Sequence, residues 1–385
     1  MDENQFTNIL MGKLEWVAEG MYYRFEPNNL PIQYIPSNKV QQQVTRTASV
    51  LGELKGRSRE FSPQEVKLFQ QMFMVKEATL SSEIEGTRAT MGDVLRGKKI
   101  IEQDKEKRED IVEINNYSKA LEIVLQSNTE LNVTLLESLH RILLTGARGA
   151  TKGPGEFKVY QNGIGNREDT LDTAKFVPAS PQTTPALINN LMMFMNSKEY
   201  EPLYKIAISH YQFETIHPFR DGNGRLGRLL VMAQLCREDF LGYPIIYISE
   251  YFNRNRDTYT EKLFNVSAKG EVEDWVLFFL KGLEYQAAQS IRILNELLNY
   301  KTHLQEITHE LSKSPNMHIL IDSLFRSPYF DIEDVQNILK ITQPAARSLV
   351  IRLVELGVVE EQHPLVKSRR KLYATRKILN IIENS

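Results

Sequence analysis

The stretch His217-Pro-Phe-Arg-Asp221-Gly222-Asn223-Gly224-Arg225-Leu-Gly-Arg228 lies between two helical patterns, and no other feature constrains the fold as tightly. Apolar residues recur at helical spacing over 202–216 and again over 224–236, so the chain here must run helix, short loop, helix. Gly222 and Gly224 let backbone approach a ligand closely, and a loop opening onto a helix start offers free N–H groups and a positive dipole end to an anion. Arg225 and Arg228, three apart, share one helix face and can fork onto phosphate oxygens, with Asn223 donating beside them. Asp221 is a hard oxygen ligand suited to a Mg2+ held jointly with phosphates. His217, at the loop entrance, has an ordinary pKa suited to taking a proton from an attacking hydroxyl. Base, metal ligand and phosphate clamp imply nucleotidyl or phosphoryl transfer. Spacing alone leaves the plainer alternative open, because Gly-Asn-Gly is also good turn chemistry and the arginines could be solvated.

The rest of the chain reads as mainly α. Residues 1 to about 45 carry Pro27, Pro31 and Pro36 and read as an irregular arm. Ser62, Pro63 and Glu65 form a helix start, Val66, Phe69, Phe73, Leu80 and Ile84 repeat at helical spacing, and Gly86 stops the pattern. Two further helices are expected between Asp110 and Leu144, then a hairpin flap and loop over 145–186, and helices at 185–195, 202–216, 224–236 and 275–298. After a polar stretch at 313–316 the pattern resets into three short helices, the second capped by Asp331 and the third by Thr342. Two strands follow, at Val358–Val359 and Lys371–Thr375, around a basic tip, the order of a winged helix-turn-helix. The expected division is an N-terminal arm and helix region at 1–110, a helical bundle with a small β-hairpin flap at 111–312, and a winged-helix domain at 313–385.

Composition excludes several classes of function. With 47 basic against 49 acidic residues in 385, the formal charge is −2, so the surface as a whole is no polycation for nucleic acid or anionic lipid. Cys236 stands alone, which excludes an internal disulfide framework and any Cys-clustered metal site and fits a reducing compartment. The first ten residues lack a secretory pattern, and the longest apolar runs fall well short of the roughly 20 residues of a bilayer-spanning helix. A soluble, cytoplasmic protein with no membrane contact is expected.

The segment 217–228 satisfies every fixed position of H-x-F-x-[DE]-G-N-G-R-x-x-R, and here the sequence resembles the Fic (filamentation induced by cAMP) family. The likeness continues through LHRILL at 139–144, PGEFK and QNGIG within 154–165, and WVLFFL at 275–280, covering most of 45–300. The resemblance implies protein adenylyl transfer, in which a Ser, Thr or Tyr hydroxyl of a target protein attacks the α-phosphate of ATP and pyrophosphate leaves. It implies His217 as base, Asp221 as Mg2+ ligand, Asn223 and Arg225 on the phosphates, amides of Gly222 and Gly224 as cradle, and Arg228 on the γ-phosphate. The segment Ile164-Gly165-Asn166-Arg167 resembles the flap that aligns the target by strand addition. Tyr259 stands where relatives carry a tyrosine pair near the adenine.

Ser81-Ser-Glu-Ile-Glu85-Gly86 also resembles the family's inhibitory motif [ST]-x-x-x-E-[GN]. A Glu85 carboxylate reaching Arg228 would fill the fork meant for the γ-phosphate. The resemblance thus implies an enzyme autoinhibited as isolated, able to modify itself when released, with removal of AMP as a second direction and a homodimer left open. The chain between 363 and 377 holds six basic and no acidic residues, among them Lys367, Arg369 and Arg370, as a DNA-contacting wing would. A nucleotide-sensing DNA-binding regulator is therefore the alternative reading, and a protein-docking module is the plainer one for this end of the chain.

Overall fold

The computed structural model describes residues 1–8, 10–61, 63–96, 105–126, 130–166, 168–311, 315–362 and 371–383. It is mainly helical with small antiparallel sheets. The N-terminal segment is not the irregular arm expected from its prolines. It forms an antiparallel hairpin of β1 (Gly12–Val17) and β2 (Tyr22–Pro27), registered Gly12 to Pro27 and Val17 to Tyr22. Pro27 is the last residue of β2, where a missing N–H costs little.

Helix α1 (Asn38–Glu60), absent from the sequence reading, is capped by Ser37 and packs along the longest helix of the chain. Its buried positions include polar Gln43 and Thr47, which weakens the apolar period; Thr47 Oγ1 donates to the carbonyl of Leu280 at 3.1 Å. Next come α2 (Pro63–Ile84), α3 (Met91–Arg96), α4 (Lys105–Gln126) and α5 (Val133–Leu144), the last capped by Asn132. Ser62, read as the cap of α2, lies outside the described residues. The expected division at 110 falls inside α4.

The flap region holds no paired strands among the described residues. A single antiparallel bridge joins Ile164 to Phe176 where a hairpin was expected, because glycines and turns occupy both flanks. Helices α6 (Thr184–Asn196), α7 (Pro202–Ile216) and α8 (Asn223–Arg237) follow. Residues 203–216 of α7 are all buried, as is nearly all of α8, so these two are the central helices and the rest wrap them. Trp275 is wholly buried and donates its indole N–H to the carbonyl of Ala207, tying the shell to α7.

Helices α9 (Ile248–Arg254) and α10 (Arg256–Lys269) lead into α11 (Val272–Leu311), a single 40-residue helix. The C-terminal part runs α12 (Pro315–Arg326), β3 (Tyr329–Phe330), α13 (Ile332–Leu339), α14 (Gln343–Glu355), β4 (Glu360–Gln362), β5 (Leu372–Ala374) and α15 (Arg376–Glu383). Its sheet has the order β3-β5-β4, so the two strands read from sequence gain a third, and the first lies slightly later than Val358–Val359. Asp331 caps α13 in a capping box with Asp334, whereas Thr342 makes no side-chain cap to α14. This part packs on the rest: α12 lies on α2 and α11, and Lys76 of α2 donates to the carbonyl of Ile382 in α15. Among the described residues no helix is long and apolar enough to cross a membrane.

Candidate active site

Residues 217–228 form the expected loop between the two central helices. His217 ends α7 in left-handed backbone (φ 49°, ψ 61°), and Gly222 is the N-cap residue of α8 with no side chain to cap it, so the first amides of α8 stay open to an anion.

A network from distant parts of the chain pins this loop. Asn162 Nδ2 donates to the carbonyls of His217 and Phe219, at 3.1 and 2.9 Å. Lys158 donates its backbone N–H to Pro218 and its ammonium to the carbonyl of Ile216. His140 takes the N–H of Gly155 at Nδ1 and donates Nε2–H to the carbonyl of Asp221, both at 2.8 Å, while its ring stacks on Phe219 at 3.7 Å. Burial holds His140 at about 4, so it stays neutral and keeps both bonds at neutral pH. None of these three roles was read from sequence, although the LHRILL and PGEFK matches contain His140 and Lys158.

Asn223 is placed differently from the expectation that it touches phosphate. It is buried, its Oδ1 accepts from the N–H of Phe219 at 2.9 Å, and its Nδ2 donates to the carbonyl of the same residue at 2.8 Å. Both ends of the amide engage the loop backbone, so it holds the loop closed. Replacing it orphans the Phe219 N–H and leaves the Phe219 carbonyl to Asn162 alone, and Asn223→Ala is expected to destabilise the protein by about 1–3 kcal/mol. Urea unfolding reads this as a lower midpoint at unchanged slope; an unmoved midpoint would remove Asn223 from the loop's support.

The charged residues converge as expected. Arg225 is buried, with Nη2 3.4 Å from Asp221 Oδ1 and Nη1 3.4 Å from Glu113 Oε2. Its Nε and Nη1 have no hydrogen-bond partner, an unsatisfied pair of charged donors suited to an anion. Asp221 has a side chain 40% exposed. Among the described residues no three His, Cys, Asp or Glu side chains cluster as a metal cage, so a divalent cation here would rely on Asp221 together with oxygens of a ligand and water.

Arg228 is 1% exposed and fully engaged. Its Nε donates to Ser81 Oγ at 2.9 Å, and Nη2 donates to the carbonyl of Ser81 and to Glu85 Oε1, both at 2.8 Å. The chain turns sharply at Gly86 (φ 93°), setting Glu85 over the start of α8. A Cβ at Gly224 would stand 2.2 Å from Glu85 Oε1, so only glycine lets the carboxylate settle on this backbone. Burial opposes the ionisation of Glu85, but Arg228 outweighs it and holds the carboxyl below the usual carboxylate range.

His217 faces the same space, with its side chain 22% exposed. Nδ1 lies 3.2 Å from the carbonyl of Glu214, which fixes the proton on Nδ1 and leaves Nε2 as a free lone pair. Burial and then Lys158 push His217 down to about 4, so it is neutral at physiological pH.

The expected flap residues and Tyr259 remain. Ile164 spends its N–H and carbonyl on Phe176, and the N–H of Asn166 is held by the Asp169 carboxylate, so neither of these two offers a free N–H for strand addition. Gly165 lies between them, close against Asp169 and Lys175, while Arg167 lies outside the described residues. Tyr259, expected beside the adenine, is 4% exposed, with its hydroxyl 2.8 Å from His210 Nε2 and its ring stacked on Phe252; it belongs to the aromatic core behind Arg228.

Comparisons with known proteins fall on the same region. The model of the Fic/DOC family matches residues 130–235, and that of the Fic/DOC family N-terminal part matches 41–126. A relative from Aquifex aeolicus, named a probable protein adenylyltransferase, is 28% identical over 191 residues, which is 49% of this chain and 55% of that protein. The protein adenylyltransferase Fic of Aedes aegypti is 33% identical over 127 residues, 32% of this chain and 22% of its own. The chain thus spans about half or less of the length of these relatives. Among solved structures, a Fic family protein from Desulfovibrio desulfuricans has a TM-score of 0.58 at 18% identity, covering 90% of this chain and 98% of that one. A Fic domain containing signaling protein from Bacteroides thetaiotaomicron has a TM-score of 0.52 at 24% identity, covering 67% and 95%. With both family models and this shared fold meeting on the loop, the cradle and the helix that carries Glu85, the chain belongs to the Fic/DOC family.

Proposed function

We propose that this protein transfers AMP from ATP to a Ser, Thr or Tyr hydroxyl of a target protein, itself included, and that Glu85 holds it inhibited until displaced. The observation that carries the reading is the Glu85 carboxylate, seated on the α8 backbone at Gly224 and bonded to Arg228. A site that binds an internal carboxylate through a guanidinium, beside the uncapped start of a helix, is built for an anion, and a terminal phosphate meets the same surroundings. The relatives named protein adenylyltransferases support AMP as the group moved.

In this reading Arg228 holds the γ-phosphate once Glu85 leaves, the unsatisfied N–H groups of Arg225 meet phosphate oxygens nearer the reacting centre, and Asp221 ligates Mg2+. When bound, Mg2+ supplies neutralisation of charge building on the phosphate oxygens. His217 Nε2 takes the proton of the target hydroxyl, whose oxygen bonds to the α-phosphorus as pyrophosphate departs. Glu85, 39% exposed at the cradle's rim, could also direct water onto an AMP–protein bond, which would make removal of AMP a second direction of the same site.

We place this activity in the cytoplasm, in keeping with the single-cysteine composition. The alternative of a DNA-binding regulator gains no support from the described part of the wing, where Lys371 pairs with Glu361 and Arg376 with Glu360, both at 2.8 Å. Lys367, Arg369 and Arg370 lie outside the described residues. The test is label transfer to the Glu85→Gly protein from ATP labelled at the α- or the γ-phosphate. Retention of α-label without γ-label is expected; γ-label retained would make the protein a kinase, and neither label retained would overturn the reading.

A further inference from the structure

Among the ionisable side chains that helix α7 buries are Lys205, His210 and Glu214, at one-turn to two-turn intervals. Lys205 is paired with Glu238 at 2.6 Å and His210 reaches Tyr259, but Glu214 Oε1 is buried with no hydrogen-bond partner. The carboxyl lies against the bare backbone of α8, where a Cβ at Gly227 would stand 2.3 Å from Oε1. Its other oxygen, Oε2, is 4.0 Å from His217 Nδ1, the nitrogen that already faces Glu214's own carbonyl. One residue, a turn before His217, therefore presents both a carbonyl and a carboxyl to Nδ1, while Nε2 points to the reacting space.

We propose that Glu214 is a positioning residue for His217, its carboxylate on the Nδ1 side stabilising the imidazolium that forms when Nε2 accepts the hydroxyl proton. The inference rests on the reading of His217 as the base of the transfer. In the step, the hydroxyl proton moves to Nε2, the oxygen electron pair forms the new O–P bond, and the P–O bond to pyrophosphate breaks with its pair leaving on pyrophosphate. The role belongs to the ionised form of Glu214, which acts through its charge on the Nδ1 side while the hydroxyl proton goes to Nε2.

The groups that face the pair set its sign. Arg228 faces Glu214 from α8, Tyr259 from α10 and Glu85 from the end of α2, while Lys158 and Glu85 face His217. Burial pushes the Glu214 carboxyl up to about 7, with Arg228 acting to lower it and Glu85 to raise it. Removing Glu85 takes away the anion and leaves the cation, so the change that opens the cradle also favours ionised Glu214. A histidine held near 4 by burial and Lys158 is a weak proton acceptor at neutral pH, and a carboxylate at Nδ1 is what restores its affinity. Glutamine at 214 has nearly the same shape and no charge, so it separates this role from packing.

The experiment is histidine-selective NMR titration of full-length Glu85→Gly and Glu85→Gly/Glu214→Gln proteins without nucleotide, with His217 assigned by its loss in His217→Asn. The His217 resonances of the parent are expected to carry an inflection at or below about pH 7, where the Glu214 carboxyl ionises beside the ring, that the Gln variant lacks. At pH 7 self-modification should fall about tenfold or more with the KM for ATP within about twofold. An equal His217 titration in the two proteins overturns the proposal whatever the rate does. Loss of that inflection with no AMP transfer in either protein upholds the Glu214 assignment and overturns the adenylyl-transfer reading instead.

Discussion

With ATP and Mg2+, the Glu85→Gly protein is expected to modify itself at least about a hundredfold faster than the wild type, because misplacing a reacting group by about an ångström costs that much. The structure says why the change is selective. Glu85 accepts one of three bonds that Arg228 donates; the other two go to the hydroxyl and the carbonyl of Ser81 and survive the substitution. The guanidinium therefore stays in place while the fork is emptied, and the backbone of Gly224 is uncovered by the same stroke. Loss of the partner leaves a buried cation, so the variant should melt at a lower temperature, and MgATP should restore the difference by mass action. Intact mass after timed incubation reads the first effect and thermal unfolding with and without MgATP the second. A wild-type rate in the variant would make the Glu85–Arg228 pair structural.

Adding a phosphate at the cradle also explains which parts of the site were legible in sequence. His217, Asp221, Gly224, Arg225 and Arg228 lie within twelve residues, so their spacing on one loop and one helix carries their geometry. Glu85 was legible because residues 81–86, at the end of a helix with an apolar period and a glycine stop, resemble the family's inhibitory motif. The supports were not legible, since His140, Lys158 and Asn162 act on backbone carbonyls some 55 to 81 residues away, and a carbonyl has no sequence signature. The loop-closing role of Asn223 was hidden for a related reason: spacing places its side chain near the anion, but only the closed loop shows that both of its ends bond Phe219. Glu214 sits in a helix apolar on every side, where a carboxyl reads as a misfit until Gly227 and His217 are seen against it. At the fold level the N-terminal hairpin was hidden by its prolines, and α1 by the Gln and Thr it turns toward the core.

His217→Asn in the Glu85→Gly background is expected to slow transfer by about a hundredfold to ten-thousandfold, the span a positioned base contributes. Asparagine is the informative replacement. Residue 217 lies in left-handed backbone, which Asn tolerates and Ala does not, so the loop keeps its shape while Nε2 is lost. ATP affinity should therefore hold, with the loss confined to kcat. The pH dependence follows from the depressed pKa: a group near 4 is already unprotonated well below neutrality, so the rate of the Glu85→Gly/Glu214→Gln protein, which lacks the Glu214 titration near 7, should be flat from about pH 6.5 to 8 and fall only in more acid solution. A histidine with its ordinary value would be half protonated at about pH 6.5 and would halve the rate there. The same depression links to stability with the opposite demand on the unfolded chain. His140, His210 and His217 are all held neutral by burial, so the stability they secure is complete above the unfolded value near 6.5 and is lost as pH falls toward 4. Glu77 and Glu214, raised to about 7, act in the other sense: their contribution is complete below about 4.5 and is lost as pH rises through 7. Between pH 4.5 and 6.5 the two sets oppose, and His217→Asn removes one proton acceptor of the unfolded state, so the variant should lose less stability on acidification than its parent. Single-turnover rates and urea midpoints at pH 5 and 7.5 read both effects. An inflection in the rate near pH 6.5, or a variant as acid-sensitive as its parent, would show that His217 is not held neutral by its surroundings.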